Sequence, residues 1–192
     1  MITNTLKMKV ISVNIGERTK VQWRKKIVET GIFKYPVSTP VFLNTEVVTN
    51  DTIVDRVHHG GPLQAVYAFG EQHYAEFKVL YPDLDWNYGM FGENLTVSGL
   101  NEENIHVGSI YQLGNAKIEV TKPRQPCYKL GIRFQDQTIV KQIWNSTKCG
   151  VYFKVLETGN VAKNDTFILL ENKPANPTIA DVYTSKRIQK GM

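Results

Sequence analysis

The residues best placed to do chemistry stand in Val120–Gly131, which reads VTKPRQPCYKLG. Cys127 follows Pro123 and Pro126 and is flanked by Lys122, Arg124 and Lys129. Each proline fixes φ, removes a backbone donor and pushes the residue before it toward extended geometry, so the cysteine leaves a stiff segment with little entropy left to lose. Three cations within five residues of Cys127 favour the thiolate, the form that attacks electrophiles and binds soft metals. The same cysteine would serve equally as a small apolar side chain in the interior, where free cysteines usually sit. Spacing alone leaves both readings open.

Other chemistry-bearing residues are scattered. Asp51–Gly61 (DTIVDRVHHGG) ends in two histidines and two glycines. Adjacent histidines on a strand face opposite ways, so His58 and His59 are not expected to share one metal. Gly60–Gly61 predicts a tight turn or a place where a ligand comes close to main chain. In WNYGMFGENL (86–95), Glu93 and Asn94 place a carboxylate and an amide together, either at a site or as braces of their own loop. Lys34 lies in a loop punctuated by glycine and proline, and His73 on a surface helix.

These residues need a scaffold, and the chain predicts a mainly β one. Met8–Ile15 alternates apolar and polar residues and reads as a strand, with Lys20–Trp23 as its hairpin neighbour. Val41–Leu43 and Glu46–Val48 read as further strands. Glu71–Leu80 fits a short amphipathic helix stopped by Pro82, and Asp136–Trp144 a second helix. Ile105–Leu113 and Ala116–Thr121 pair around Gly114–Asn115, a primed-turn signal, and deliver the chain to Cys127. Val151–Leu156 and Thr166–Leu170 supply later strands, while Ile132–Phe134 is short. Thr178–Met192 reads as weakly helical, basic and loose. Many short strands without a βα rhythm predict a closed antiparallel β-barrel with a few short helices. It would span residues 1–175, followed by a short tail at 176–192.

Composition bounds the function. The 192 residues suffice for one domain with a full core. No apolar run is long enough to cross a bilayer, and MITNTLKMKVISVNIG has no continuous apolar segment of a signal peptide, which predicts a cytoplasmic protein. Two cysteines 22 positions apart fit free thiols in a reducing compartment. The formal charge of +5 favours anionic partners, but the basic residues form short clusters, not a stripe interleaved with aromatics, so nucleic acid is a poor fit. Walker, GxGxxG, CxxC, HExxH and GxSxG motifs are all missing from the sequence.

Several ordered segments resemble one family. HHGGPLQAVYAF, GMFGENLTVSGL and IHVGSIYQLGNAKIEVTKPRQPCYKL look like the MOSC domains, relatives of the C-terminal part of molybdenum-cofactor sulfurase. TGIFKYPV (30–37) and GVYFKVLETGNVAKND (150–165) are similar to its bacterial YiiM-like branch. The resemblance implies a β-barrel that binds molybdenum cofactor (molybdopterin), with Cys127 as the molybdenum ligand. It places Lys34, His59, Arg124, Asn94 and Gly60–Gly61 around that cofactor; a pyridoxal-phosphate-binding label also travels with the family. Members include reductases of N-hydroxylated compounds such as amidoximes and hydroxylaminopurines. His59 and Glu93 are then the candidates for proton delivery.

The chain departs from the family pattern at Gly108-Ser109 and Asn164-Asp165, both turn positions, and only Pro177–Met192 stands where relatives carry a helical extension. Two cysteines cannot build a four-cysteine iron–sulfur cluster and no flavin motif is present, so electrons are expected from a separate reductase. The alternative is a non-catalytic carrier of the cofactor, or of sulfur on Cys127.

Overall fold

A computed structural model describes residues 7–54 and 59–191 of the chain. Its centre is one eight-stranded sheet. The chain supplies β1 (Lys9–Gly16), β4 (Lys34–Val37), β6 (Val66–Gly70), β7 (Leu95–Ser98), β8 (Ile110–Leu113), β9 (Ala116–Pro123), β10 (Val151–Glu157) and β12 (Ile168–Glu171) to it. They lie in the order β12-β8-β9-β10-β6-β7-β1-β4. A separate ribbon joins β2 (Thr19–Trp23) to β3 (Lys26–Thr30), and β5 (Val41–Leu43) pairs with β11 (Gly159–Val161).

The expected closed antiparallel barrel is corrected in two respects. First, the sheet is a curled half-barrel whose end strands, β4 and β12, do not pair with each other. The curl brings Met8–Val10 against Asn164–Phe167, where three backbone hydrogen bonds form and Lys9 bridges Thr166. β1 is bulged against β7 between Val10 and Ser12, and Pro36 on edge strand β4 has no N–H to extend the sheet. Second, β6 and β7 run parallel, with Ala68 opposite Leu95. Parallel neighbours need a crossover. Here it consists of a 3-10 turn (Glu71–His73), α1 (Tyr74–Leu80) and the 86–94 loop.

Local expectations shift as well. Lys20–Trp23 pairs with β3 and not with β1, through a turn that holds Arg24 at φ 54°. Glu46–Val48 is not a strand; only Val48 makes a bridge, to Leu43. Ile132–Phe134 belongs to the end of a helix, α2 (Tyr128–Arg133), which is followed by α3 (Thr138–Trp144).

The segment read as weakly helical and loose is indeed helical, as α4 (Ile179–Gln189), but it is closed at its start by a Thr178–Asp181 capping box. Such caps contribute about 0.5–2 kcal/mol. Tyr183 anchors it: its ring stacks on Trp144 at 4.9 Å and its hydroxyl donates to the Ile143 carbonyl at 3.1 Å.

Apolar faces of the sheet and helices enclose the core, where Leu95, Val97, Ile118, Val151 and Phe153 are fully buried. One end is aromatic. Phe91 stacks on Phe69 at 4.1 Å and meets Tyr74, Phe77 and Phe134 edge-on or tilted at 5.1–5.2 Å. Each such pair adds roughly 0.5–1.5 kcal/mol beyond its burial. This knot holds the 86–94 loop rigid above the site.

Candidate functional site

β9 ends at Pro123, which still pairs with Val151, and the next four residues carry the chain off the sheet into α2. Cys127, half-buried, immediately precedes that helix. Arg124 turns inward and is buried. Its Nη1 donates to the Phe91 carbonyl, and its guanidinium carbon lies 4.6 Å above the Tyr67 ring. Burial works against the charge, but Tyr152, Tyr67 and Cys127 around it prevail and hold the pKa above the usual guanidinium range. Arg124 is thus a fixed cation, and its Nε has no partner among the described residues. Gly92, at φ 76°, lets the loop lie on it, since a Cβ there would come within 3.2 Å of Nη1 and 2.5 Å of Ile32 Cδ1.

The facing wall is a polar network. The Lys34 ammonium, delivered by β4, forms an ion pair with Asp51, and both side chains are almost fully buried. Asp51 also accepts from Asn94 Nδ2 at 2.9 Å and from the Gly16 amide at 2.9 Å. Asn94 Oδ1 accepts from the Tyr67 amide at 3.3 Å, which ties this wall to β6. Burial pushes the Lys34 pKa below its ordinary value, and Asp51 pushes back.

Between these walls lies an inner cleft with about 560 Å³ of empty space, mouth included. Lys34, His59, Gly60, Asn94, Arg124 and Cys127 all line it. Gly61 does not: it precedes a 3-10 turn (Pro62–Gln64), and its carbonyl accepts from the Gln64 amide. Glu93 is also outside the cleft. It is fully buried under the loop, accepting from the Tyr74 and Thr96 hydroxyls and from the Gly89 and Phe91 amides. Burial raises its pKa, and it fills the bracing role that the sequence left open. His58 lies outside the described residues.

The lining residues that were not anticipated include Asp51, Gln64, Tyr67 and Tyr152. Tyr152, on β10, places its hydroxyl 3.4 Å from His59 Nδ1. Neither Asp51 nor Tyr152 belongs to a recognisable spacing. The one available signal was that a lysine expected inside a site needs a buried acid to hold it.

A second, outer cleft with about 1150 Å³ of empty space adjoins the first. His59, Gln64, Cys127, Lys129 and Tyr152 line both, so the two meet at the cysteine. Lys122 from β9 and Lys186 from α4 complete its basic side. Cys149, the other thiol, lies away from both clefts, beneath Tyr67, whose hydroxyl donates to its carbonyl at 3.0 Å. Burial pushes its pKa well up. Among the described residues no three His, Cys, Asp or Glu side chains gather to hold a metal ion, and no helix is long and apolar enough to cross a membrane.

Residues 55–167 match the MOSC domain model. An uncharacterized protein of Bacillus subtilis, YflK, is 38% identical over 161 residues, which cover 84% of this chain and 72% of YflK. A protein named as a reductase from Gibberella moniliformis is 35% identical over 148 residues, but the match spans only 26% of its length. YiiM of Escherichia coli is 32% identical over 135 residues, or 60% of its length. Among solved structures, YiiM from Geobacillus stearothermophilus superposes with a TM-score of 0.78 at 29% identity, covering 96% of this chain and 86% of that one.

Proposed function

The chain belongs to the MOSC domain family, and from that premise we propose that it is a molybdenum-cofactor-dependent reductase of N-hydroxylated compounds. The observation that carries the reading is a thiol at the junction of two clefts, with a buried, incompletely bonded guanidinium in the inner one. A reductase-named relative and the resemblance to the YiiM structures support it, each as a property of that other protein.

The residues present fit the cofactor. Cys127 offers the single soft sulfur donor that molybdenum favours beside a dithiolene. Arg124, with its Nε unsatisfied, is a ready donor to an anionic pterin phosphate. Gly60, at φ 118°, keeps the cleft wall thin where a side chain would press on Ile53. Bound there, the cofactor would supply two-electron exchange at molybdenum.

Reduction of an N–OH group breaks the N–O bond, takes up two electrons and two protons, and releases the amine and water. The electrons come from a separate reductase. His59 supplies the proton at the leaving hydroxyl, with Tyr152 orienting the ring from the protein side. Lys34 and Asp51 keep the cleft wall in register; their mutual neutralisation leaves Arg124 as the buried positive charge inside, with the half-buried Lys129 nearer the mouth it shares with the outer cleft.

The test is molybdenum and pterin content of protein from a cofactor-competent host, wild type against Cys127→Ala. It is followed by multiple turnover of an N-hydroxylated substrate with a chemical reductant. Near-stoichiometric molybdenum lost in the variant, with turnover in wild type, is expected. Molybdenum without turnover would make the chain a carrier. No molybdenum in either protein would end the cofactor reading.

A further inference from the structure

The outer cleft carries positive charge that no carboxylate among the described residues neutralises. Lys122, Lys129 and Lys186 are all half-buried on its walls, and no Asp or Glu among the described residues lines it. Among the described residues, none of these three lysines has a carboxylate within salt-bridge distance, whereas Lys34, Lys117, Lys148 and Lys173 each do. The lysines come from three separate elements, β9, α2 and the segment α4 that the capping box and Tyr183 pin in place. Their convergence is therefore a product of tertiary packing, not of a basic run in sequence. Burial pushes the Lys122 pKa down, and the neighbouring Lys186 charge pushes it further. Ammonium groups held together without a counter-ion repel, and an anion placed among them relieves that repulsion.

We infer that Lys122, Lys129 and Lys186 form a subsite for the phosphate of the substrate, so that the outer cleft takes a phosphate-bearing N-hydroxylated compound such as a nucleoside monophosphate. The inference rests on the reductase reading of the inner cleft and adds the substrate's chemical class. A dianionic phosphate monoester matches several point charges better than a single carboxylate does. The cleft's cavity volume of about 540 Å³ can hold a nucleotide, and the exposed Tyr128 and buried Tyr152 offer aromatic faces for a base. A group anchored at the lysines projects toward Cys127, because that residue belongs to both clefts.

Calorimetry on cofactor-loaded protein, with adenosine 5′-monophosphate and adenosine as probes, tests the subsite without turnover. The monophosphate is expected to bind at least about tenfold more tightly than the nucleoside, and this preference should shrink between about 0.05 and 0.3 M salt. It should disappear in Lys122→Gln/Lys186→Gln, whose folding is checked by its unfolding midpoint. In turnover, the kcat/KM ratio of 6-hydroxylaminopurine riboside monophosphate over the free base should fall about tenfold in the same variant.

Equal binding of the two probes to wild type overturns the inference. So does loss of molybdenum and pterin from the double variant, which would assign these lysines to the cofactor's own phosphate. A protein that reduces the free base yet ignores the phosphate refutes the subsite alone. One that prefers the monophosphate but reduces nothing refutes the reductase reading and leaves the anion site standing.

Discussion

Two regions of this molecule each hold a buried carboxylate and a cysteine, and they use them in opposite ways. On the sealed side, Glu93 is caged by four donors without a cation in hydrogen-bond contact, and Cys149 lies under Tyr67 with its thiol held protonated by burial. On the cleft side, Asp51 holds the Lys34 ammonium, and Cys127 faces open space. Arg124 stands between the two, bonded to the loop above Glu93 and charged toward the cleft. A carboxylate satisfied only by neutral donors acts as a rivet for main chain. One satisfied by a lysine sets the position of a charge, which is what a binding site needs.

The sharpest way to break this contrast is Glu93→Ala. It leaves the Gly89 and Phe91 amides without their acceptor inside the aromatic knot, with an expected loss of about 4 kcal/mol or more. Glu93→Gln keeps one oxygen but turns an amide N–H₂ toward the other donors, so a loss of about 1–3 kcal/mol is expected. Denaturant unfolding measures both; an Ala variant as stable as wild type would mean that the cage contributes nothing. Asp51→Asn comes next. It strands the buried Lys34 charge, and about 3 kcal/mol is expected, eased because Lys34 can shed its proton. Unlike either Glu93 variant, it should also lower cofactor retention at a temperature where the protein remains folded.

The contrast was only half legible in the chain. Cys127, Arg124, Lys34, His59 and Asn94 stood in segments that resemble known ones, and all line the cleft. Glu93 did not join them, although it is Asn94's neighbour. Successive side chains leading into an extended strand face opposite ways, so one points into the knot and the other into the cleft. Which way each points depends on Phe69, Phe91 and Phe134, far apart in sequence. Asp51 escaped notice because it pairs across 17 residues from a segment without regular structure.

The same limit applies to the fold. Several strands followed from alternation, but closure depends on which edges meet, and Pro36 caps an edge only once the sheet exists. α2 is six residues long, contains a glycine and follows a proline, too little for a helical period to emerge.

A smaller effect sharpens the comparison through pH. The raised pKa of Glu93 means that the folded state binds its proton more tightly than the unfolded chain does. Its contribution is therefore fully present below the unfolded value of 4.5 and is lost as pH rises through the folded one. The stability gap between wild type and Glu93→Gln should narrow as pH rises across that window. Lys34 has the opposite sign, since its depressed pKa adds stability as pH rises toward 10.5. Urea midpoints of wild type, Glu93→Gln and Lys34→Gln across pH measure both slopes; a gap that widens with pH for Glu93→Gln would contradict the burial argument.

The smallest perturbation is a chemical one at the two thiols. Alkylation needs the thiolate and access to it. Cys149 has neither, being 2% exposed with its pKa driven up, whereas Cys127 lies at the meeting of two clefts. Iodoacetamide at about pH 8, near the free-thiol pKa, should therefore modify cofactor-free native protein at Cys127 alone, and both cysteines only after denaturation. Peptide mass spectrometry reads the positions directly. Comparable native labelling of Cys149 would mean that the aromatic side opens as readily as the cleft, and the division between the two regions would fail. Protection of Cys127 in cofactor-loaded protein, with Cys149 unchanged, would tie that division to function, because only the cleft-side thiol would have exchanged solvent for a ligand.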